Sequence, residues 1–180
     1  WWSRVTKMFF EYFPKFLYSL QSNTVTNDGF ITATDIFRRV APQDKFIVNE
    51  TYLETYTINA GERPEDIAYD LYGDPEYHWI LLILNNIIDP YNEWYYSPEQ
   101  LYALVLQRYT NPNDTHHFAL VSNPLICSDY DEDLIASGEL VEVTHLEHEE
   151  LENDARQEIK VLHPRYLKDF VAEFKRKIGN

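Results

Sequence analysis

Residues 79–84 read Trp-Ile-Leu-Leu-Ile-Leu, with no strongly polar position among them. Six such residues fall far short of the ~20 needed to cross a bilayer. The surrounding sequence predicts a helix instead. Asp74 can cap it, Pro75 suits its first position, and Tyr77 to Asn85 carry its turns. A helix that is apolar all round has to be covered all round. A strand pair can cover one face; another segment or another chain must cover the rest.

The preceding residues indicate what lies on that first face. Tyr52, Glu54, Tyr56 and Ile58 alternate with Leu53, Thr55 and Thr57, which predicts a strand. Gly61 permits the turn that follows. Pro64 suits the start of a helix, with Glu65 and Asp66 near its positive end. Ile67 and Leu71, and Ala68 and Tyr72, are i,i+4 pairs that form an apolar stripe, and Gly73 ends it. The expectation is a β-α-α unit over about 53–86, with helices near 64–72 and 75–85.

The flanks are of a different kind. Met8 to Leu20 is an aromatic arm broken by Pro14, and its side chains need cover from this chain or from a partner. Ser22 to Gly29 is a polar loop, and Asp35 can cap a short turn that Pro42 stops. Ser97 and Gln100 form a capping box, with Pro98 at the first position of a helix running through Arg108. Strands are expected near His117–Val121, Glu139–Val143 and Glu158–Leu162. Thr144 and Glu147 form a second capping box, opening a charged, largely exposed helix over 146–157. After Pro164, Leu167, Phe170, Val171, Phe174 and Ile178 fall at helical spacing, and Lys175-Arg176-Lys177 suit the last turn. There is no internal repeat. The fold class is α+β. The expected divisions are an N-terminal arm with a short helix over 1–50, a central domain with its following helix over 51–110, and a mixed α/β region over 111–180 that ends in an amphipathic helix.

Charge narrows the partners. The 180 residues carry a net charge of −15 and a pI near 4.6. Phosphate backbones are held by Lys and Arg, so nucleic acid is excluded as a partner of the chain as a whole, as are anionic membrane surfaces. The acidity serves solubility or a preference for basic partner surfaces. With 14 Tyr, 10 Phe and 4 Trp, the chain has material for interfaces as well as a core. Cys127, the single cysteine, cannot form an internal disulfide, which is consistent with folding in a reducing cytoplasm. The opening Trp1-Trp2-Ser3-Arg4 has no leader pattern and no initiator Met, so residues are expected to precede it.

No motif for chemistry stands out. Glu62, Glu65 and Asp66 cluster at a helix start, where acids serve the dipole. Cys127 has no basic neighbour in sequence to activate it. His145 and His148 are i,i+3, and His116 and His117 are adjacent, but a zinc site wants four ligands at recognisable spacing. These histidines read as solvated residues beside an acidic helix. Tyr91, Trp94, Tyr95, Tyr96 and Trp79 could line a sugar platform, but the need to cover the apolar helix favours core and interface. No catalytic residue, cofactor or metal ligand is assigned.

Tyr56-Thr57-Ile58, Gly61-Glu62, Ile67-Ala68, Tyr72-Gly73, Leu82 and Asn85 resemble the LysM module. That likeness implies a small LysM-like β-α-α(-β) domain and, as the alternative function, binding of peptidoglycan or another N-acetylglucosamine polymer. The usual Asp-Thr-Leu at the first helix is replaced by Glu62-Arg63-Pro64. The second-strand signature has no clear counterpart after Asn85, where Trp94-Tyr95-Tyr96 is the nearest candidate. A wider set of motifs resembles baseplate wedge proteins of contractile-tailed bacteriophages of the T-even type. They are Tyr12-Phe13-Pro14, Thr34-Asp35-Ile36-Phe37-Arg38, Arg63-Pro64-Glu65, Leu71-Tyr72-Gly73-Asp74-Pro75, Tyr77-His78-Trp79-Ile80-Leu81-Leu82, Asp89-Pro90-Tyr91, Trp94 and Ile159-Lys160-Val161-Leu162-His163-Pro164. This resemblance implies a non-enzymatic structural component of the virion tail baseplate, assembled in the host cytoplasm. It implies a clamp between neighbouring wedges, with other wedge and hub or tube-end proteins as partners, in six copies or a multiple. Phe9, Phe10, Phe13, Phe16, Arg38, Arg39, Tyr91, Trp94 and Tyr95 are the candidate partner contacts.

Overall fold

The computed structural model describes residues 9–19, 30–36 and 51–179. Arg38, Arg39 and Met8 lie outside the described residues. The fold is α+β, and the chain forms two compact units. The first comprises the described residues up to Thr55, Arg63–Ile88 and those from Lys160 onward; the second comprises Tyr56–Glu62 and Asp89–Ile159. The second unit is therefore largely an insertion in the sequence of the first.

The first unit opens with a 3-10 turn, Phe9–Tyr12, and a hairpin of strands β1 (Lys15–Ser19) and β2 (Phe30–Thr34). Helix α1 spans Pro64–Tyr72. Pro64 sits where no N–H is needed, and Asp66 reaches back to accept the Arg63 N–H at 3.2 Å. Gly73 ends α1 at φ 74°, a conformation that glycine adopts freely, and its N–H donates to the Tyr69 carbonyl at 2.8 Å. Asp74 caps the 3-10 turn Pro75–Tyr77, which leads into α2 (His78–Leu84). The expected 64–72 helix is present, while the expected 75–85 helix divides into a tight turn and seven α residues.

The cover for α2 comes from its own chain. The long C-terminal helix Leu167–Gly179 buries Phe170, Val171, Phe174 and Ile178 against Trp79, Ile80 and Leu84, with Leu162 and Phe13 in the same core. The Trp79 and Phe174 rings lie 4.6 Å apart, and Phe9 contacts both. Each such side chain contributes about 1.5–3 kcal/mol of burial, so the arm and the last helix bring substantial stabilisation to a helix that would otherwise stay wet.

Strand β3 (Leu53–Thr57) pairs with a strand at Glu158–Leu162. At one end the His163 N–H donates to the Tyr52 carbonyl, and at the other the Ile58 N–H donates to the Gln157 carbonyl, each at 2.9 Å, so the pair is antiparallel. The partner of β3 thus lies about a hundred positions downstream. Trp94-Tyr95-Tyr96, the expected candidate, forms no strand.

In the second unit, the short helix α3 (Pro90–Glu93) precedes α4 (Pro98–Arg108), which has the expected Ser97/Gln100 capping box. Strands β4 (Thr115–Leu120), β5 (Cys127–Ser128) and β6 (Leu140–Thr144) form an antiparallel sheet in the order β5-β4-β6, with the short helix α5 (Glu132–Ser137) before β6. Helix α6 (His145–Ala155) follows β6 directly through the Thr144/Glu147 capping box. The strand Glu158–Leu162 is β7 and the helix Leu167–Gly179 is α7.

The face of α6 departs from the expected exposed helix. Glu149 and Asn153 are buried. Arg108 Nη1 donates to both Glu149 carboxylate oxygens, at 2.8 and 3.0 Å, and the Tyr109 hydroxyl donates to Oε1 at 2.9 Å. Asn153 accepts the Tyr96 N–H at 2.8 Å and donates to the Tyr96 carbonyl at 3.0 Å. These partners satisfy polar groups that would be costly to bury unpaired.

Candidate assembly surfaces

Several motif residues that suggest a ligand groove are engaged with their own backbone. Ile67 and Ala68 are fully buried, Leu82 is half-buried, and Gly61 takes a left-handed turn at φ 81°. Asn85 Nδ2 donates to the carbonyls of Leu81 and Lys160, and its Oδ1 accepts the Lys160 N–H, all at 2.8 Å. The Tyr72 hydroxyl donates to the Leu162 carbonyl at 3.0 Å and accepts the Leu162 N–H at 3.1 Å. Lys160 and Leu162 are two apart on β7, with their backbone groups on the edge away from β3. Two side chains from the helices therefore saturate the edge where a third strand would bind. Burial pushes the Tyr72 hydroxyl well above the ordinary tyrosine range; the Leu162 hydrogen bond works against this shift and the Glu54 charge adds to it.

Glu62, at the head of the acidic cluster, is similarly occupied. It accepts from the Tyr56 hydroxyl at 2.7 Å, the Asn59 N–H at 2.8 Å and Asn59 Nδ2 at 3.0 Å, so it closes a turn.

The uncovered apolar surface lies elsewhere. In the β1–β2 hairpin Phe16 pairs with Ala33 and Tyr18 with Ile31, placing all four on one face. Phe16, Tyr18 and Ile31 are 44%, 51% and 48% exposed, and on the other face Leu17 is 70% exposed. A two-stranded ribbon is marginal in water unless a face is covered. The second unit has its own patches: Tyr91 is 87% exposed, and Tyr102 and Leu106, one turn apart on α4, are each about half exposed.

The predicted contact residues divide accordingly. Phe10 and Phe16 are exposed, as is Tyr91. Phe13 is in the core and Phe9 packs against it. Trp94 is buried in the second unit, where its indole N–H donates to the Glu62 carbonyl at 2.9 Å, and Tyr95 is half-buried. Sequence reasoning placed Tyr18 in the aromatic arm without naming it as a contact, and missed Ile31. Their period-two spacing carries the signal, but it acquires meaning only once the register brings Ile31 opposite Tyr18.

Comparison with known proteins agrees with this surface-dominated picture. Residues 8–123 match the family described as Base plate wedge protein 53. The chain is 29% identical over 196 aligned positions to Baseplate wedge protein gp53 of Enterobacteria phage T4, covering 96% of this chain and 99% of that one. The family match spans well over half the sequence, so the chain belongs to the base plate wedge protein 53 family and is a structural component of the phage tail baseplate.

Proposed function

We propose that the chain clamps neighbouring wedges together as the sixfold baseplate closes, through adhesion and without catalysis. The observation that carries this reading is the hairpin whose two faces leave Phe16, Leu17, Tyr18 and Ile31 in water. Such a ribbon suits a partner that completes it, because the free chain leaves that apolar surface wet. Tyr91, Tyr102 and Leu106 on the second unit provide separate apolar ground, as a bridging subunit requires. Arg38, Arg39 and Phe10 are further contacts in this reading. The partners are other wedge proteins and the hub or tube-end proteins, with six copies or a multiple per baseplate. Ring symmetry then multiplies modest contacts through effective concentration.

The strand-helix-helix-strand unit acts here as a LysM-like joint rather than a sugar site, since Tyr72 and Asn85 are committed to β7. The test is complementation of a phage lacking this gene, with electron microscopy of lysates. Without the protein, separate wedges should accumulate and rings should fail to close. Closed baseplates in its absence, with only infection impaired, would refute the clamp.

A further inference from the structure

The pairing of β4 with β6 contains an irregularity that brings histidines together. Thr115 pairs with Thr144 and His117 with Val143, so one extra residue, His116, is accommodated between them on β4. Neighbouring side chains on a regular strand point to opposite faces; a bulge re-aims one of them. Here the Nδ1 atoms of His116 and His117 come within 2.7 Å. His148, from the first turn of α6, stacks on His116 with ring centroids 4.0 Å apart. One ring nitrogen from each of His116, His117 and His148 lies within 4.8 Å of the others.

The hydrogen bonds around this cluster leave lone pairs available to a ligand. His117 Nε2 is 3.0 Å from the Pro124 carbonyl, which only an N–H can approach favourably, so its Nδ1 is the lone-pair nitrogen, turned to His116 Nδ1. His148 Nε2 faces Glu152 at 3.6 Å, while His148 Nδ1 is buried with no hydrogen-bond partner. Carbonyl and carboxylate groups behind an imidazole fix its tautomer in this way in metal sites. His145 adds a second buried Nδ1 without a partner, and its ring lies 5.2 Å from that of His116.

The geometry points to a zinc(II) site built from His116, His117 and His148 that staples β4 to α6. Imidazole donors select zinc and its late first-row neighbours over magnesium or calcium. Tetrahedral zinc at Zn–N of about 2.0–2.1 Å holds its donors about 3.3 Å apart, so nitrogens now up to 4.8 Å apart must close by up to about 1.5 Å. His116 is exposed and can turn to do so. A staple suits this unit. It has roughly 80 residues, a size at which a single core contributes little stability, and with Cys127 alone it has no disulfide.

The test uses the full chain without a histidine tag, stripped by a chelator and titrated with zinc(II) against a chromophoric competitor. One zinc per chain should bind, undisturbed by millimolar magnesium, and raise the thermal midpoint. Cobalt(II) in its place should give the visible absorption of tetrahedral nitrogen coordination. His116→Asn and His148→Gln should each weaken zinc binding at least tenfold, while Glu150→Gln on the exposed side of α6 leaves it unchanged. Circular dichroism checks that each variant folds, and the wild-type cobalt spectrum needs no variant. Absence of one-to-one binding, binding indifferent to both histidine changes, or multiple weak sites displaced by magnesium would each overturn the site.

Discussion

Asn85 treats Lys160 as one strand treats another: its carboxamide accepts the Lys160 N–H and donates to the Lys160 carbonyl, both at 2.8 Å, across 75 positions of sequence. Asn85→Ala should lower the stability of the chain by roughly 1–2 kcal/mol, because two backbone groups lose their partner. Asn85→Asp should cost more, since a carboxylate would then face the Leu81 and Lys160 carbonyls. Urea unfolding of the three proteins measures the order; equal midpoints would show that water replaces the carboxamide at no cost.

Tyr72 makes the matching bond to Leu162, and Tyr72→Phe should cost about 1–3 kcal/mol through the stranded N–H and carbonyl. Its hydroxyl also gives alkaline sensitivity. The folded pKa lies above the unfolded value of about 10, so the contribution is complete below pH 10 and is lost as pH rises toward the folded pKa. The loss of stability above pH 10 should be shallower in Tyr72→Phe. Identical alkaline unfolding curves for the two proteins would assign the effect to other groups.

In the second unit Glu149 is buried against Arg108, whose own side chain is about half exposed. Removing the cation leaves a carboxylate with only the Tyr109 hydroxyl among these partners. Arg108→Ala should therefore destabilise by roughly 2 kcal/mol, below the full cost for a completely buried pair because of that exposure. The double change Arg108→Ala with Glu149→Gln should recover part of the loss. Thermal melts that show no recovery would place the cost in the packing of the arginine stem.

The arm contains two kinds of aromatic residue. Phe13→Ala opens a cavity beside Phe174 and should cost about 3–5 kcal/mol of folding stability. Phe16→Asp with Tyr18→Asp, on the wet face of the hairpin, should leave thermal stability nearly unchanged and prevent the protein from joining wedges. A pull-down with purified wedge proteins, read beside the melts, separates the two. Reversed effects would mean that the hairpin face, not Phe13, carries the fold.

What the sequence reveals here is what is local. Pro64, Gly73 and Asp74-Pro75 mark the ends of their helices because backbone geometry at those positions depends on a few neighbours. The Ser97/Gln100 and Thr144/Glu147 boxes are legible for the same reason. The partner of β3 is not, because alternation at Glu158–Leu162 indicates a strand without naming its mate. The helix with Glu149 and Asn153 resembles a solvated one, since a buried carboxylate looks no different in sequence until Arg108 is found opposite it. The histidine cluster depends on a single extra residue in a strand register, which leaves no compositional trace. The apolar run at Trp79–Leu84 does announce that it needs cover, but not that Phe174 and Phe13 provide it.

The placement of β7 and α7 at the far end of the chain sets a clock on synthesis. Translation at roughly 5–20 residues per second needs on the order of 5–20 s to pass from Leu84 to Ile178. For most of that interval the nascent chain has made the helix that most needs shelter but not the helix that shelters it, and β3 has no mate until Leu162 is made. Premature termination before Phe170 would yield a product in which α2 lacks the cover of α7. Such fragments should partition to chaperones or aggregates, so a nearly complete chain is a poorer candidate for a soluble fragment than its length suggests.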